Sequence, residues 1–259
     1  MKVKLVAITK PEDESISVAD FVAYVARVSN PGNQSNTLTA SKLLRYLIDH
    51  DHVSPFEMVN MVFEVETTRD IARQILRHSS MKFQEFSQRY ANPIDDLGFE
   101  IREARLQDKK NRQNSIPTED KTILNTWKVI QQKCIEQTII DYNWAIEHGI
   151  AKEVARAILP EGLTLSRLYC NINLRTAITY CKLRKTNGTQ REHMAIADEI
   201  WKITEEKFPA LKGVVGWSDI QKEEMEKYII TSSETTYTEP TYSLIEELRE
   251  YGLIEGLDR

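Results

Sequence analysis

Apolar positions alternate with polar ones in two short stretches near the start of the chain and recur at helical spacing over most of the remainder. Val3, Leu5 and Ala7 predict a strand over residues 1–8. Val59, Met61, Phe63 and Val65 predict a second over 59–67, with Asn60, Val62, Glu64 and Glu66 on its other face. Between them, Val18, Phe21, Val22, Val25 and Val28 predict a helix over 17–28, with Asp20 in its first turn, stopped by Ser29-Asn30-Pro31-Gly32. Leu38, Leu43, Leu44 and Leu47 mark the apolar side of another over 37–49. A short helix over 70–77 follows the second strand directly. At 100° per residue, Arg73, Gln74 and Arg77 share a face while Ile71, Ile75 and Leu76 turn inward.

Residues 99–105 read as a strand, and 107–121, with Asp108, Lys109, Lys110 and Arg112, as a solvated loop or, in a sharper reading, a mobile lid. A long helix is expected over 122–148, with Trp127, Ile130, Cys134, Ile135, Thr138, Ile139 and Tyr142 at helical spacing and Gly149 ending it. Further helices are expected over 152–159 (stopped by Pro160), 168–183 and 190–208, the last carrying Met194, Ile196, Ala197, Ile200 and Ile203. Two more fall at 221–229 and 243–251. No repeat and no long linker is present, so the expectation is one α+β domain with helices packed around a small central sheet. It would cover 1–212, with an extension over 213–259 packed on the same domain.

The sequence has 259 residues, 41% hydrophobic and 28% charged, with a formal net charge of −5. That charge argues against a nucleic-acid partner, which requires a cationic surplus to displace counterions. Cys134, Cys170 and Cys181 are odd in number and contain no CxxC, which argues against disulfides and a zinc site. All three are expected to be buried structural thiols. The N-terminus lacks the order of a signal peptide, and no apolar run reaches the ~18–20 residues needed to span a bilayer. The expected location is cytoplasmic, with no membrane association.

Candidate chemistry concentrates in 69–90, where Arg73, Arg77, His78, Glu85, Ser87, Arg89 and Tyr90 crowd together. Arg forks match phosphate oxygens bidentately, so the stretch reads as a grip for a small anion. A cation at a helix end also offsets the helix dipole, which alone would account for Arg77 or His78. Two further polar groups stand out: His52 to Glu57, and Arg156 with Asn173, Arg175, Thr179 and Arg184. Ser87 is a tempting nucleophile, but no paired His–Asp arrangement accompanies it, so phosphate binding is favoured.

The stretch Arg77-His78-Ser79-Ser80-Met81-Lys82-Phe83-Gln84-Glu85-Phe86-Ser87-Gln88-Arg89-Tyr90 resembles the R-H-R-x-x-S-x-N-E-x-S-x-R-Y signature of the flavin-dependent thymidylate synthases, matching six of nine fixed positions. Ser79, Lys82 and Gln84 depart from it. An H-x-[ST]-P-F-E segment stands as His52 to Glu57, A-R-x-x-L-P as Ala155 to Pro160, and N-x-R…L-R as Asn173, Arg175, Leu183 and Arg184. The resemblance covers roughly residues 1–210.

It implies a homotetramer that binds FAD, converts dUMP to dTMP with methylenetetrahydrofolate, and uses NADPH to reduce the flavin. By position, Gln74, Ile75, Leu76, Arg77, Glu85, Phe86, Ser87, Gln88, Arg89, Arg156 and Arg184 would hold dUMP. Ser54, Arg77, His78, Ser79, Glu85, Asn173, Arg175 and Thr179 would line the FAD site, with His52 and Tyr90 as further candidates. Arg184 would be the catalytic cation, polarising the pyrimidine. A related flavoprotein acting on another pyrimidine nucleotide is the alternative. Loss of the signature Arg at Ser79 implies weaker FAD retention or compensation by Lys82. Gly188 falls where relatives often carry a flavin-contacting His.

On one regular helix, Asn173 would share a face with Arg184, eleven residues or about three turns on, while Arg175 would be displaced from Asn173 by roughly 200°. Either the helix begins after Arg175 or its faces serve different sites. The active site would then be built between subunits.

Overall fold

The computed structural model describes residues 1–186 and 188–216; the helices expected over 221–229 and 243–251 lie outside the described residues. In chain order the elements are β1 (Lys2–Ile8), α1 (Val18–Ala26), α2 (Ala40–Asp49), β2 (Asn60–Thr68), α3 (Arg69–Leu76), β3 (Lys82–Glu85), α4 (Pro93–Asp96), β4 (Arg105–Gln107) and β5 (Ser115–Pro117). Then come α5 (Lys121–Glu147), α6 (Lys152–Ala155), β6 (Leu165–Asn173), α7 (Leu174–Arg184) and α8 (Arg191–Lys207). Short 3₁₀ turns occupy Pro31–Asn33, Ser54–Met58, Arg156–Ile158 and Pro209–Leu211. The architecture is mixed helix and sheet, as the hydrophobic pattern predicts. The described residues gather into two compact units, 1–87 with 166–216, and 88–165.

The first unit is built on a four-stranded sheet of order β1-β2-β6-β3. On β2, Met61, Phe63 and Val65 are fully buried, as their alternation predicts. Leu168, Cys170 and Ile172 do the same on β6, and both sets join one core with Ile71 and Ile75 of α3, Ala177 and Cys181 of α7, and Ile196 and Trp201 of α8. In β1 the pairing jumps from Leu5 opposite Phe63 to Ala7 opposite Val62, so Val6 is an extra residue. That bulge reverses the pleat: Ala7 is exposed and Ile8 turns inward instead.

Helix boundaries follow local caps. Ser17 accepts from the Asp20 N–H at the start of α1, and Asp120 accepts from the Thr122 and Ile123 N–H groups at the start of α5. Leu38 precedes α2 and is 96% exposed, so it is not part of that helix's apolar side.

The largest correction concerns 168–183, expected as one helix. Residues 165–173 are strand, and the helix begins at Leu174 because the Asn173 side chain accepts from the Thr176 N–H at 2.8 Å. Leu168, Cys170 and Ile172 follow a period of two, which a helical reading of an unbroken apolar-polar run conceals.

In the second unit, Ile135, Tyr142 and Ala145 of α5 are buried, with Phe99, Ile101 and Ala155 among the packed core residues. Trp127, Ile130 and Cys134, expected on the apolar stripe, lie on the exposed side of α5, with Ile140 and Trp144 also exposed. The strand expected over 99–105 is reduced to a bridge between Phe99 and Thr164, and regular pairing starts only at Arg105. The polar run over 107–121 contains β5, which pairs antiparallel with β4, so it is a hairpin in part. The helix expected over 152–159 is split into α6 and a 3₁₀ turn.

Because Phe63 is fully buried on an inner strand, Phe63→Ala should cost ~3–5 kcal/mol of stability, read from the denaturant midpoint. Leu38→Ala, at an exposed position, should stay within about 0.5 kcal/mol. Equal effects at the two positions would contradict this core.

Candidate functional site

The site is organised around the end of α3. This helix leaves β2 without a loop, so Ile71, Ala72 and Ile75 are pinned to the core and the opposite face is carried outward. Arg77 caps the helix C-terminally, its N–H donating to the Ile75 carbonyl, while its guanidinium is exposed and makes no hydrogen bond or ion pair among the described residues. Gln74 lies one turn earlier, half-buried. Ile75 is buried in the core and Leu76 packs against it, so neither offers a free side chain.

His78 follows Arg77 and meets α7. Its Nε2 accepts from Arg184 Nε at 3.0 Å and Nη2 at 2.9 Å. An acceptor nitrogen carries no proton, so the His78 proton sits on Nδ1. Burial pushes the imidazole below its ordinary value, and the Arg184 and Arg77 cations add to the shift. Neutral His78 therefore fixes the Arg184 guanidinium while leaving it charged. The Tyr180 ring meets His78 edge-on, centroids 4.9 Å apart.

Glu85 ends β3, where it stands opposite Leu168 of β6. Its Oε1 accepts from Ser166 Oγ at 3.1 Å and from Arg69 at 3.5 Å. The Phe86 N–H continues the pairing by donating to the Arg167 carbonyl at 2.8 Å. Glu85 is thus held in one orientation, and Ser87 follows half-buried. Ser79 is exposed in the turn between α3 and β3.

The opposite end of α7 holds the second set of expected residues. Arg175 lies nine residues before Arg184, about 180° around a regular helix. The two arginines therefore serve opposite faces, and the contacts agree: Arg184 meets His78, while Arg175 pairs with Glu57. Asn173 is outside the helix, spent on its cap. Thr179 Oγ1 lies within reach of its own helix's Arg175 and Thr176 carbonyls. Ser54 and His52 are exposed in the turn that carries Glu57, and His52 lies 6.4 Å from the Tyr46 ring.

Gln88, Arg89, Tyr90 and Arg156 belong to the second unit. Arg89 pairs with Glu153 at 3.1 Å, and the Tyr90 carbonyl accepts from Lys152 Nζ at 3.1 Å. The Arg156 side chain is exposed with no hydrogen-bond or ion-pair partner among the described residues. Gln88 is 4% exposed, and its Nε2 has no acceptor among the described residues. An orphaned buried donor is uncommon and suits a ligand oxygen.

Several contributors escape sequence reasoning: Arg69 and Ser166, which hold Glu85, and Tyr180, Gln190 and His193, which lie behind Gln74. His193 is fully buried, with Nδ1 3.2 Å from Gln74 Oε1 and Nε2 3.0 Å from the Tyr180 hydroxyl. A histidine within a run of apolar helix residues is the signal that could have found it. Gly188, expected to depart from the family pattern, has φ +89°, a conformation that a side chain disfavours.

The cysteines separate. Cys170 and Cys181 are buried, and burial pushes the Cys170 thiol up to about 12 and the Cys181 thiol up as well. Neither can supply a thiolate near neutrality. Cys134, expected to be buried, is exposed.

The family described as "Thymidylate synthase complementing protein" matches residues 4–210. A relative from Paramecium bursaria Chlorella virus 1, named "Probable flavin-dependent thymidylate synthase", is 45% identical over 84% of this chain and 100% of its own. A flavin-dependent thymidylate synthase of Synechocystis sp. is 42% identical over 84% of this chain and 100% of its own. A solved structure of the UMP/dUMP methylase PolB from Streptomyces cacaoi, bound with 5-Br UMP, superposes with a TM-score of 0.68 at 26% identity, over 84% of this chain and 96% of that one. The chain belongs to the flavin-dependent thymidylate synthase family.

Burial, with the Arg184 cation and His78 adding to it, lowers the His193 imidazole to about 3. The unfolded chain, with a value of about 6.5, therefore takes up the proton first as pH falls. The contribution of neutral His193 to stability is full above about pH 6.5 and declines from there toward about pH 3. The stability margin of the wild type over His193→Asn should shrink from about pH 7.5 to about pH 5, read as denaturant midpoints. A margin independent of pH would mean that His193 titrates as it does in water.

Proposed function

We propose that this protein converts dUMP to dTMP, taking its one-carbon unit from methylenetetrahydrofolate and its reducing electrons from NADPH through FAD. The observation that carries the proposal is the contact between Arg184 and His78. It joins two segments that separately match family motifs and lie 106 residues apart in sequence.

The donor set suits FAD. Arg77 is an unpartnered, exposed cation beside the exposed Ser79 hydroxyl, a combination that fits a diphosphate. Ser54, His78, Glu85, Asn173, Arg175 and Thr179 are the further FAD candidates carried over from the resemblance. When bound, FAD supplies the hydride that completes the methyl group. The chain's own residues bind, orient and polarise. Gln74, Arg77, Glu85 and Ser87 of the first unit would hold the nucleotide; Gln88, Arg89 and Arg156 are the further nucleotide candidates carried over from the resemblance. The Arg89–Glu153 pair is surface-exposed, so it is worth only ~0–1 kcal/mol and a phosphate can displace it. Arg184 faces negative charge as it develops on the pyrimidine, and its orientation is preset by His78 before substrate arrives.

The reaction transfers a methylene carbon to the ring, takes up hydride and releases the C5 proton, with Arg184 rather than a cysteine thiolate activating the ring. The high values of Cys170 and Cys181 support this. We place the enzyme in the cytoplasm as a homotetramer with active sites between subunits. The exposed Trp127, Ile130, Ile140 and Trp144 on α5 support assembly, since an apolar face of this size calls for a partner.

The purified protein should show flavin absorbance that NADPH bleaches and dUMP-dependent turnover restores; a colourless protein that takes up no FAD would overturn the reading. UMP belongs beside dUMP in the assay, because the PolB structure is that of a UMP/dUMP methylase. Arg184→Gln should lower turnover roughly 10²–10³-fold with FAD content retained. Cys134→Ser should leave turnover within about twofold, whereas its abolition would point to a thiol mechanism.

A further inference from the structure

Behind Gln74, a run of hydrogen-bonded polar side chains crosses the otherwise apolar packing of the first unit. Gln74 Oε1 can only accept, so the 3.2 Å contact from His193 is an Nδ1–H donation. His193 Nε2 is then unprotonated and accepts from the Tyr180 O–H at 3.0 Å. On the far side, Gln74 Nε2 donates to Gln190 Oε1 at 2.8 Å. His193 is fully buried and Tyr180 is 2% exposed, so no water competes for the inner links.

A carboxamide can swap its oxygen and nitrogen by a half-turn at little intrinsic cost, and the two orientations present opposite chemistry to a ligand. Here the half-turn would set the Gln74 NH₂ against His193 Nδ1–H and its oxygen against the Gln190 oxygen, so it requires the His193 proton to move to Nε2 and the Gln190 carboxamide to turn with it. Gln74 is therefore coupled to a partner on each side, and with Oε1 toward α8 one of its two Nε2 hydrogens remains after Gln190 is served.

We propose that His193 is a positioning residue that fixes the Gln74 carboxamide so that its remaining N–H donates to an oxygen of the pyrimidine nucleotide. This rests on the reading of Gln74 as a nucleotide-binding side chain. Tyr180 partners His193 Nε2, and the same phenol ring packs edge-on against His78. One buried tyrosine thus serves the supports of both Gln74 and Arg184.

The test is dUMP affinity of the FAD-loaded protein by calorimetry, with the thermal midpoint measured alongside. His193→Leu removes both hydrogen-bonding nitrogens and should weaken dUMP roughly tenfold. His193→Asn places a donor near the Nδ1 position; combined with Tyr180→Phe, which removes the phenol left without an acceptor, it should recover affinity to within about threefold of wild type. In a Gln74→Ala background, His193→Leu should cause no further loss, because the residue it positions is gone. If His193→Leu does not fold, Gln190→Ala loosens the same carboxamide from its solvent side and should weaken dUMP about threefold, an effect that Gln74→Ala should again abolish.

Folded variants binding dUMP like wild type, or a loss that persists in full without Gln74, would overturn the positioning role while the nucleotide reading stands. A wild-type protein that binds no dUMP would overturn the nucleotide reading and the positioning role with it.

Discussion

The architecture of the site depends on the hydrogen bond from the Thr176 N–H to the Asn173 side chain. It ends β6 and starts α7 with no intervening loop, so the strand that pairs with β3 and the helix that carries Arg184 form one continuous lever. The strand half brings Ser166 to Glu85, and the helix half brings Arg184 to His78. A loop of even a few residues would leave these two placements independent of each other. The same switch fixes the helical phase, which sends Arg175 to Glu57 on the opposite face.

The polar groups around Glu85 and α7 are tolerated because they are answered by geometry rather than by water. Glu85 is held by a hydroxyl and a guanidinium, and the Lys185–Asp198 pair at 2.7 Å ties the end of α7 to α8. Leaving such groups unanswered would cost several times what each bond contributes net. The result is a cluster with little freedom to rearrange. A site intended to hold a ring and a cation in register gains from that rigidity.

Much of this was legible beforehand, for identifiable reasons. The alternation in β2 and the helical face of α3 are strong signals because one side of each is fully buried, and the motif spacing located Arg77, His78, Glu85 and Arg184. The reading of 168–183 as one helix failed because Asn173 caps without a glycine or proline to mark the boundary. The stripe through Trp127, Ile130 and Cys134 reads as core because an exposed apolar face of a helix has the same spacing and composition as a buried one. His193 and Tyr180 were invisible for a different reason: their significance lies in which atoms they touch, and spacing along the chain carries no information about contacts between α3, α7 and α8.

The bulge at Val6 has a consequence of another kind. It bends β1, one outer strand of the sheet, and Lys2 and Lys4 crowd the same strand with charge. The opposite outer strand, β3, spans only four residues. One border is kinked and charged and the other is short, so neither offers the long flat row of free amides that would template a neighbouring chain. The sheet is thereby closed to runaway extension along both of its borders.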